Sequence, residues 1–143
     1  MVIPVPIKNR LEKLEIAIKK LNELKALSVD SFLNDWKAQD SACRNFQIAV
    51  EVCVDIGSFI LSERNLQVPD SYSKVIEEIK KIGIINKNIE ELLKKLIRFR
   101  NIIVHEYLHI EMEKVYKNFS LVYVFEEFAK SIIDYYSKST NNP

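Results

Sequence analysis

The sequence predicts an all-α, up-and-down bundle of four to five helices. Three observations carry that expectation. The 143 residues hold only two Gly and four Pro, too few for the turns a sheet protein needs. Apolar residues recur at spacings of three and four along most of the chain. Residues 46–60 (FQIAVEVCVDIGSFI) are apolar on nearly every side, the pattern of a central helix covered by several neighbours. With 48% hydrophobic and 29% charged residues, the chain is expected to fold around one core. A single helical domain over residues 1–143 is expected, ordered over about 7–137.

The elements follow in order. Ile7, Leu11, Leu14, Ile18 and Leu21 form a narrow amphipathic seam, which predicts a helix to about Leu27. Ser28 to Ser31 supply cap and turn residues, and a short amphipathic piece is expected around Phe32, Leu33 and Trp36, with Trp36 packed. The central helix is expected from about Gln39 to Glu63. Asn65 to Asp70, with Pro69, breaks it. A helix from about Ser71 to Ile82 stops at Gly83, a natural residue after a helix C-terminus. Asn88 followed by Glu91 reads as a capping-box start for a helix whose seam is Ile89, Leu93, Leu96, Arg100, Ile103 and Tyr107. After a connection around His109 to Glu113, a last helix is expected from about Val115 to Tyr136. It carries two overlapping seams, Leu121-Phe125-Phe128-Ile132-Tyr135 and Val122-Ala129-Ile133-Tyr136. That is more apolar surface than one intrachain contact needs, so a homo-oligomer is expected. Residues 139–143 (STNNP) read as a frayed tail.

Several function classes drop out. Gly57 and Gly83 stand alone, so neither a dinucleotide fingerprint nor a Walker loop is available. No run approaches about 18 uninterrupted apolar residues, and MVIPVPIKNR is too short and Pro-rich for a signal peptide. A cytoplasmic protein without a membrane partner is expected. Cys43 and Cys53 lie ten residues apart on one expected helix, roughly 15 Å of rise, beyond disulfide reach. Neither has a CxxC partner for thiolate zinc chemistry. A net charge of +1 argues against coating nucleic acid by bulk attraction.

The chemistry concentrates in Arg98 to His109, RFRNIIVHEYLH. Arg100 and Tyr107 occupy seam positions where the pattern calls for a hydrophobe. A guanidinium there is costly unless paired. Asn101 and His105, four apart, share a face. The central helix offers counter-charges: Glu51 and Asp55 interrupt its apolar run four residues apart, with Arg44 seven before Glu51 on the same side. Acids in so apolar a helix need partners, and one of them is expected to hold Arg100 or His105. On a straight helix, positions 100 and 105 diverge by about 140°. Convergence therefore needs a distortion near 104 or a second subunit, while 100 and 107 share a face.

The string Arg100-Asn101-x-x-x-His105-x-Tyr107 resembles the R-x4-H-x-Y signature of the HEPN superfamily in its HepT toxin branch. The D-x-x-C-R-N-F-Q-I-A-V-E-V-C-V-D-I-G stretch, the Pro-Asp-Ser-Tyr turn and the closing aromatic helix resemble it too, so the likeness spans about residues 7–137. The resemblance implies a metal-independent endoribonuclease toxin without cofactor. It implies a homodimer that brings two motif copies to one cleft. It also implies a MntA-type nucleotidyltransferase antitoxin that silences the toxin by adenylylating the motif tyrosine. Arg100 and His105 would be catalytic, Tyr107 the modified residue and Asn101 a supporting one.

The residue types suit that chemistry. RNA carries its own nucleophile, the 2′-OH. Imidazole can move protons near neutrality, and a guanidinium can hold phosphate oxygens and developing charge. The expected products are a 2′,3′-cyclic phosphate and a 5′-OH. An adenylyl group on Tyr107 would put bulk and negative charge beside Arg100. Arg98 and Lys94 share the flank of His105 and are candidate RNA contacts, whereas the other Lys-rich faces read as solvated surface. Tyr135 and Tyr136 read as packing residues.

Two competing readings stand beside this one. His105-Glu106-Tyr107-Leu108-His109 matches H-E-x-x-H, a zinc-hydrolase helix motif, although there is no third His and the reading leaves Arg100 without a role. The other is a non-catalytic HEPN subunit that binds a nucleotidyltransferase. The joint presence of Arg100, His105 and Tyr107 opposes it.

Overall fold

A computed structural model describes residues 2–140. Among these residues there are seven α-helices: α1 (Val5–Lys25), α2 (Val29–Leu33), α3 (Trp36–Glu63), α4 (Tyr72–Lys81), α5 (Lys87–His105), α6 (Met112–Lys117) and α7 (Val122–Thr140). Two 3₁₀ turns, Tyr107–His109 and Asn118–Leu121, flank α6. Four side-chain caps mark the starts. Ser28 accepts from the Ser31 N–H, Asp35 from Ala38, Ser71 from Lys74 and Asn86 from Ile89. Each satisfies an otherwise orphaned amide and stabilises its helix by about 1 kcal/mol. The α5 cap is thus Asn86, two residues before the expected Asn88. Gly83 follows α4 with φ +84°, a left-handed position where glycine carries no Cβ penalty.

Helix α3 is the axis of the bundle. Phe46, Ala49, Val50, Val52, Cys53, Ile56 and Ile60 are all buried, because α1, α4, α5 and α7 pack around it. It is long and apolar enough to cross a membrane by length and composition, yet those apolar sides are covered by the chain's own helices. Gly57 lets α4 approach. A Cβ added there would lie 2.9 Å from Val75 Cγ1. The close α3–α4 contact matters below, since α4 begins with Tyr72.

Three expectations need correction here. Trp36 does not pack. It opens α3 and is 66% exposed, with Lys37 Nζ 5.6 Å from its ring centroid. The last helix is not continuous from Val115. The chain turns at 118–121 because Phe119 is driven into an aromatic cluster: its ring centroid lies 5.4 Å from Phe32, 5.7 Å from Phe46 and 5.5 Å from Tyr116. The Tyr116 hydroxyl also donates to the Leu27 carbonyl at 2.7 Å. Finally, the double seam of α7 is mostly consumed within the chain. Val122, Phe125, Phe128, Ile132 and Tyr136 are buried, and Tyr136 donates to Glu63 at 3.2 Å. Of those seams Ile133 is exposed and Leu121, Ala129 and Tyr135 are half-buried, so most of the apolar surface read as surplus is used within the chain. The tail expected from residue 139 is helical through Thr140, and its last three residues lie outside the described ones.

Candidate active site

The site is built where α5 crosses α3 and α4. Ile89, Leu93, Leu96 and Ile103 bury the inner face of α5, and the same face turns Arg100 toward α3. There its Nη2 and Nε donate to Glu51 Oε2 at 2.7 and 3.1 Å. Nη1 donates to Asn101 Oδ1 at 3.1 Å. The guanidinium also lies 4.8 Å from the ring centroid of Tyr72, on α4, a cation–π arrangement. The side chains of Arg100 and Glu51 are 17% and 29% exposed, so the pair is neither solvated nor dry. Of the five N–H donors of a guanidinium, three are engaged, leaving two without a partner among the described residues.

Asp55 takes no part. One turn beyond Glu51, it is exposed and has no ion-pair partner among the described residues. The α3–α5 contact lies on the Glu51 side, so water solvates Asp55 and it needs no counter-charge. Arg44 is exposed on α3, at the rim of the cleft described next.

Helix α5 ends at His105, not beyond Tyr107. The Glu106 N–H still reaches the Ile102 carbonyl at 2.8 Å, but its backbone (φ −127°, ψ 32°) leaves the helix. The cause is tertiary. Residues 107–109 have no core to cover, with Leu108 86% exposed, and α6 must turn back to seat Val115 and Phe119. Tyr107 therefore does not share a helical face with Arg100. It folds over the start of α3, where its hydroxyl donates to Asp40 Oδ1 at 3.1 Å. Asp40, Cys43, Arg44, Gln47, Ile103, Val104 and Tyr107 line a cleft of about 410 Å³. The bond to Asp40 and its negative charge push the Tyr107 phenol pKa up. Burial, with Asp40 adding to it, pushes the Cys43 thiol up to about 11. Both cysteines are free and buried.

His105 is the exposed last residue of α5 and has no hydrogen-bond partner among the described residues. Residues 100–105 are continuous α-helix, so on regular helix geometry the two side chains diverge by about 140° and do not share a face within one chain. The helix end also separates His105 from His109, which sits in the following 3₁₀ turn. The H-E-x-x-H string thus lacks the i, i+4 helical face that a zinc site of that type requires. No group of three or more His, Cys, Asp or Glu side chains converges as a metal site among the described residues.

The two candidate RNA contacts separate. Lys94 is committed to Glu77 on α4 at 2.7 Å, a tie that raises the lysine pKa and lowers the carboxyl pKa. Arg98 is exposed and has no ion-pair partner among the described residues. Asp40 and Tyr72 were missed as site residues. Both lie within the D-x-x-C-R-N-F and Pro-Asp-Ser-Tyr stretches, but neither breaks a helical pattern, which is the signal that exposed Arg100 and Glu51.

An all-helical bundle with this string at the end of α5 is of the HEPN type. Over 92% of this chain and 99% of the other, it superposes on a solved structure of a tri-AMPylated Shewanella oneidensis HEPN toxin in complex with an MNT antitoxin, with a TM-score of 0.85 and 26% identity. The HepT-like ribonuclease family model matches residues 14–132. This chain belongs to the HepT-like ribonuclease family. It is 28% identical over 107 residues to the mRNA nuclease HepT of Shewanella oneidensis, covering 75% of this chain and 80% of that one. It is 31% identical over 108 residues to a putative RNase of Archaeoglobus fulgidus, covering 73% and 76%.

Proposed function

We propose that this protein is a metal-independent endoribonuclease toxin that acts as a homodimer and is silenced by adenylylation of Tyr107. The observation that carries the reading is Arg100: a guanidinium held on three sides with two donors left over, inside an R-x4-H-x-Y string of a HepT-like chain. In the reaction the RNA 2′-oxygen attacks the adjacent phosphorus and the P–O5′ bond breaks. The products are a 2′,3′-cyclic phosphate and a 5′-OH. Arg100 stabilises the charge on the non-bridging oxygens. His105 takes the 2′-hydroxyl proton, and the His105 of a second copy returns one to the 5′-oxygen. The divergence of Arg100 and His105 on one helix supports a shared cleft. So does the exposed apolar surface of Val104 and Leu108 around the α5 terminus, which a second copy would cover.

Silencing uses a nucleotidyltransferase antitoxin carrying ATP. The Tyr107 phenol oxygen attacks the α-phosphorus, pyrophosphate leaves, and the phenol proton passes to Asp40, already its acceptor. Asn101 supports the site by holding Arg100 Nη1.

Incubation of the purified protein with RNA tests the proposal. Cleavage with cyclic-phosphate ends that persists in EDTA and disappears in His105→Ala is the expected result. Cleavage abolished by EDTA, or equal in His105→Ala, overturns the catalytic assignment. A wild type that binds the nucleotidyltransferase but cuts no RNA would point to the non-catalytic subunit.

A further inference from the structure

A second cleft lies on the opposite side of α5 from Asp40, between α5 and the α6 turn. It holds about 540 Å³, within the roughly 300–1,000 Å³ of small-ligand sites. Four cations stand around it: Lys95 and Arg98 on α5, and Lys114 and Lys117 on α6. No carboxylate lines it. Lys95, Arg98 and Lys117 make no ion pair among the described residues, and Lys114 has only a loose one, 3.7 Å to Glu111. Between the two basic rails the lining is apolar, with buried Phe99 and exposed Ile102.

On a chain of net charge +1 this is a local excess that costs self-repulsion unless an anion arrives. The cleft opens on the side of α5 that carries His105, since positions 98 and 105 are one heptad apart, about 20° in azimuth. We propose that this cleft is a strand-binding subsite for single-stranded RNA. The two rails neutralise phosphates next to the scissile one, and the apolar floor receives a base. A second copy of the chain is a poorer occupant, because a two-fold contact here would set the cations against their own images. An unpaired strand suits the cleft better than a duplex, because only unstacked bases can reach an apolar floor.

The inference rests on the ribonuclease reading, and its test separates the two. Binding of the full chain to a fluorescein-labelled, single-stranded 2′-O-methyl RNA, which lacks the nucleophile, is followed by anisotropy over a salt series. Arg98→Glu combined with Lys117→Glu should weaken binding at least about tenfold and lower the log–log salt slope by about 1.4, at about 0.7 per phosphate contact. Lys19→Glu with Lys20→Glu on α1 changes charge equally and should leave both nearly unaltered. Arg98→Gln with Lys117→Gln provides the same loss of contacts should charge reversal impair folding, which circular dichroism detects. Equal loss in the α1 control, or no change in either cleft variant, overturns the subsite while leaving cleavage by the wild type standing. Loss of nucleotidyltransferase binding with RNA binding intact overturns it in favour of a protein dock. Weakened binding in the cleft variants, with His105→Ala still cutting RNA, keeps the subsite and removes the catalytic assignment.

Discussion

Arg100 and His105 sit on the same helix, barely more than one turn apart, in different media. Arg100 lies between α3 and α4, tied to Glu51 and Asn101 and stacked on Tyr72. His105 stands exposed at the helix end without a partner among the described residues. In the proposed reaction the first group is preorganised, as a charge stabiliser must be if it is not to spend the transition state reorienting. The second is presented, as a proton carrier must be if substrate and a second surface are to complete its surroundings. On that proposal one half of the chemistry is built into the monomer and the other is assembled on it.

The strongest way to break that contrast is to truncate both. Arg100→Ala and His105→Ala should each lower RNA cleavage by about 10²–10⁴-fold. Only Arg100→Ala should cost stability, about 1–3 kcal/mol in chemical denaturation, because it strands half-buried Glu51. Equal destabilisation by both would show that His105 is as embedded as Arg100.

A smaller effect is expected at Glu51→Gln, which keeps an acceptor but removes its charge. Cleavage should fall about tenfold through a less well-held guanidinium, with about 1 kcal/mol of stability lost. Unchanged kcat would detach Arg100 positioning from catalysis.

The Tyr107 end sharpens the comparison differently. Asp40→Asn should slow adenylylation about tenfold while leaving RNA cleavage intact, and Tyr107→Phe should abolish modification altogether, both read by mass spectrometry. Asp40 raises the phenol pKa because it accepts the hydroxyl hydrogen bond and its negative charge opposes phenolate formation. Asp40→Asn should therefore let Tyr107 ionise at lower pH, visible in phenolate absorbance. An unmoved titration would break the Asp40–Tyr107 link.

The smallest effect concerns Lys94–Glu77, a somewhat more exposed α4–α5 tie to set against half-buried Arg100–Glu51. The Glu77 pKa is lowered below 4.5, chiefly by its bond to Lys94. Its stabilisation is present above that ordinary value and is lost as pH falls through the lowered one. Lys94→Met should flatten the dependence of stability on pH below about 4.5, at low salt only. Persistence of that acid limb in Lys94→Met would assign it elsewhere.

Much of the bundle is legible without coordinates because helix periodicity is local. The expected Ser71–Ile82 segment is found as Tyr72–Lys81 between those two residues as caps, and the apolar run 46–60 lies on the central axis. A charged residue in an apolar seam is just as visible, which is why Arg100 and Glu51 stood out. The choice between Glu51 and Asp55 was not legible. They are one turn apart, and only the line along which α5 crosses α3 decides which is covered. The end of α5 was hidden for a related reason. Nothing local after His105 forbids another turn of helix. The chain leaves because Phe119, ten or more residues on, must reach Phe32 and Phe46.

The amino-acid order alone determined the helical class, most helix limits, and the presence of a cation, an imidazole and a phenol within eight residues, since these depend on short-range spacing and side-chain chemistry. The tertiary structure alone decided that the cation is clamped, the imidazole left free and the phenol turned onto Asp40. Those outcomes depend on which surfaces meet across the core, and that is a competition among distant parts of the chain for the same buried space.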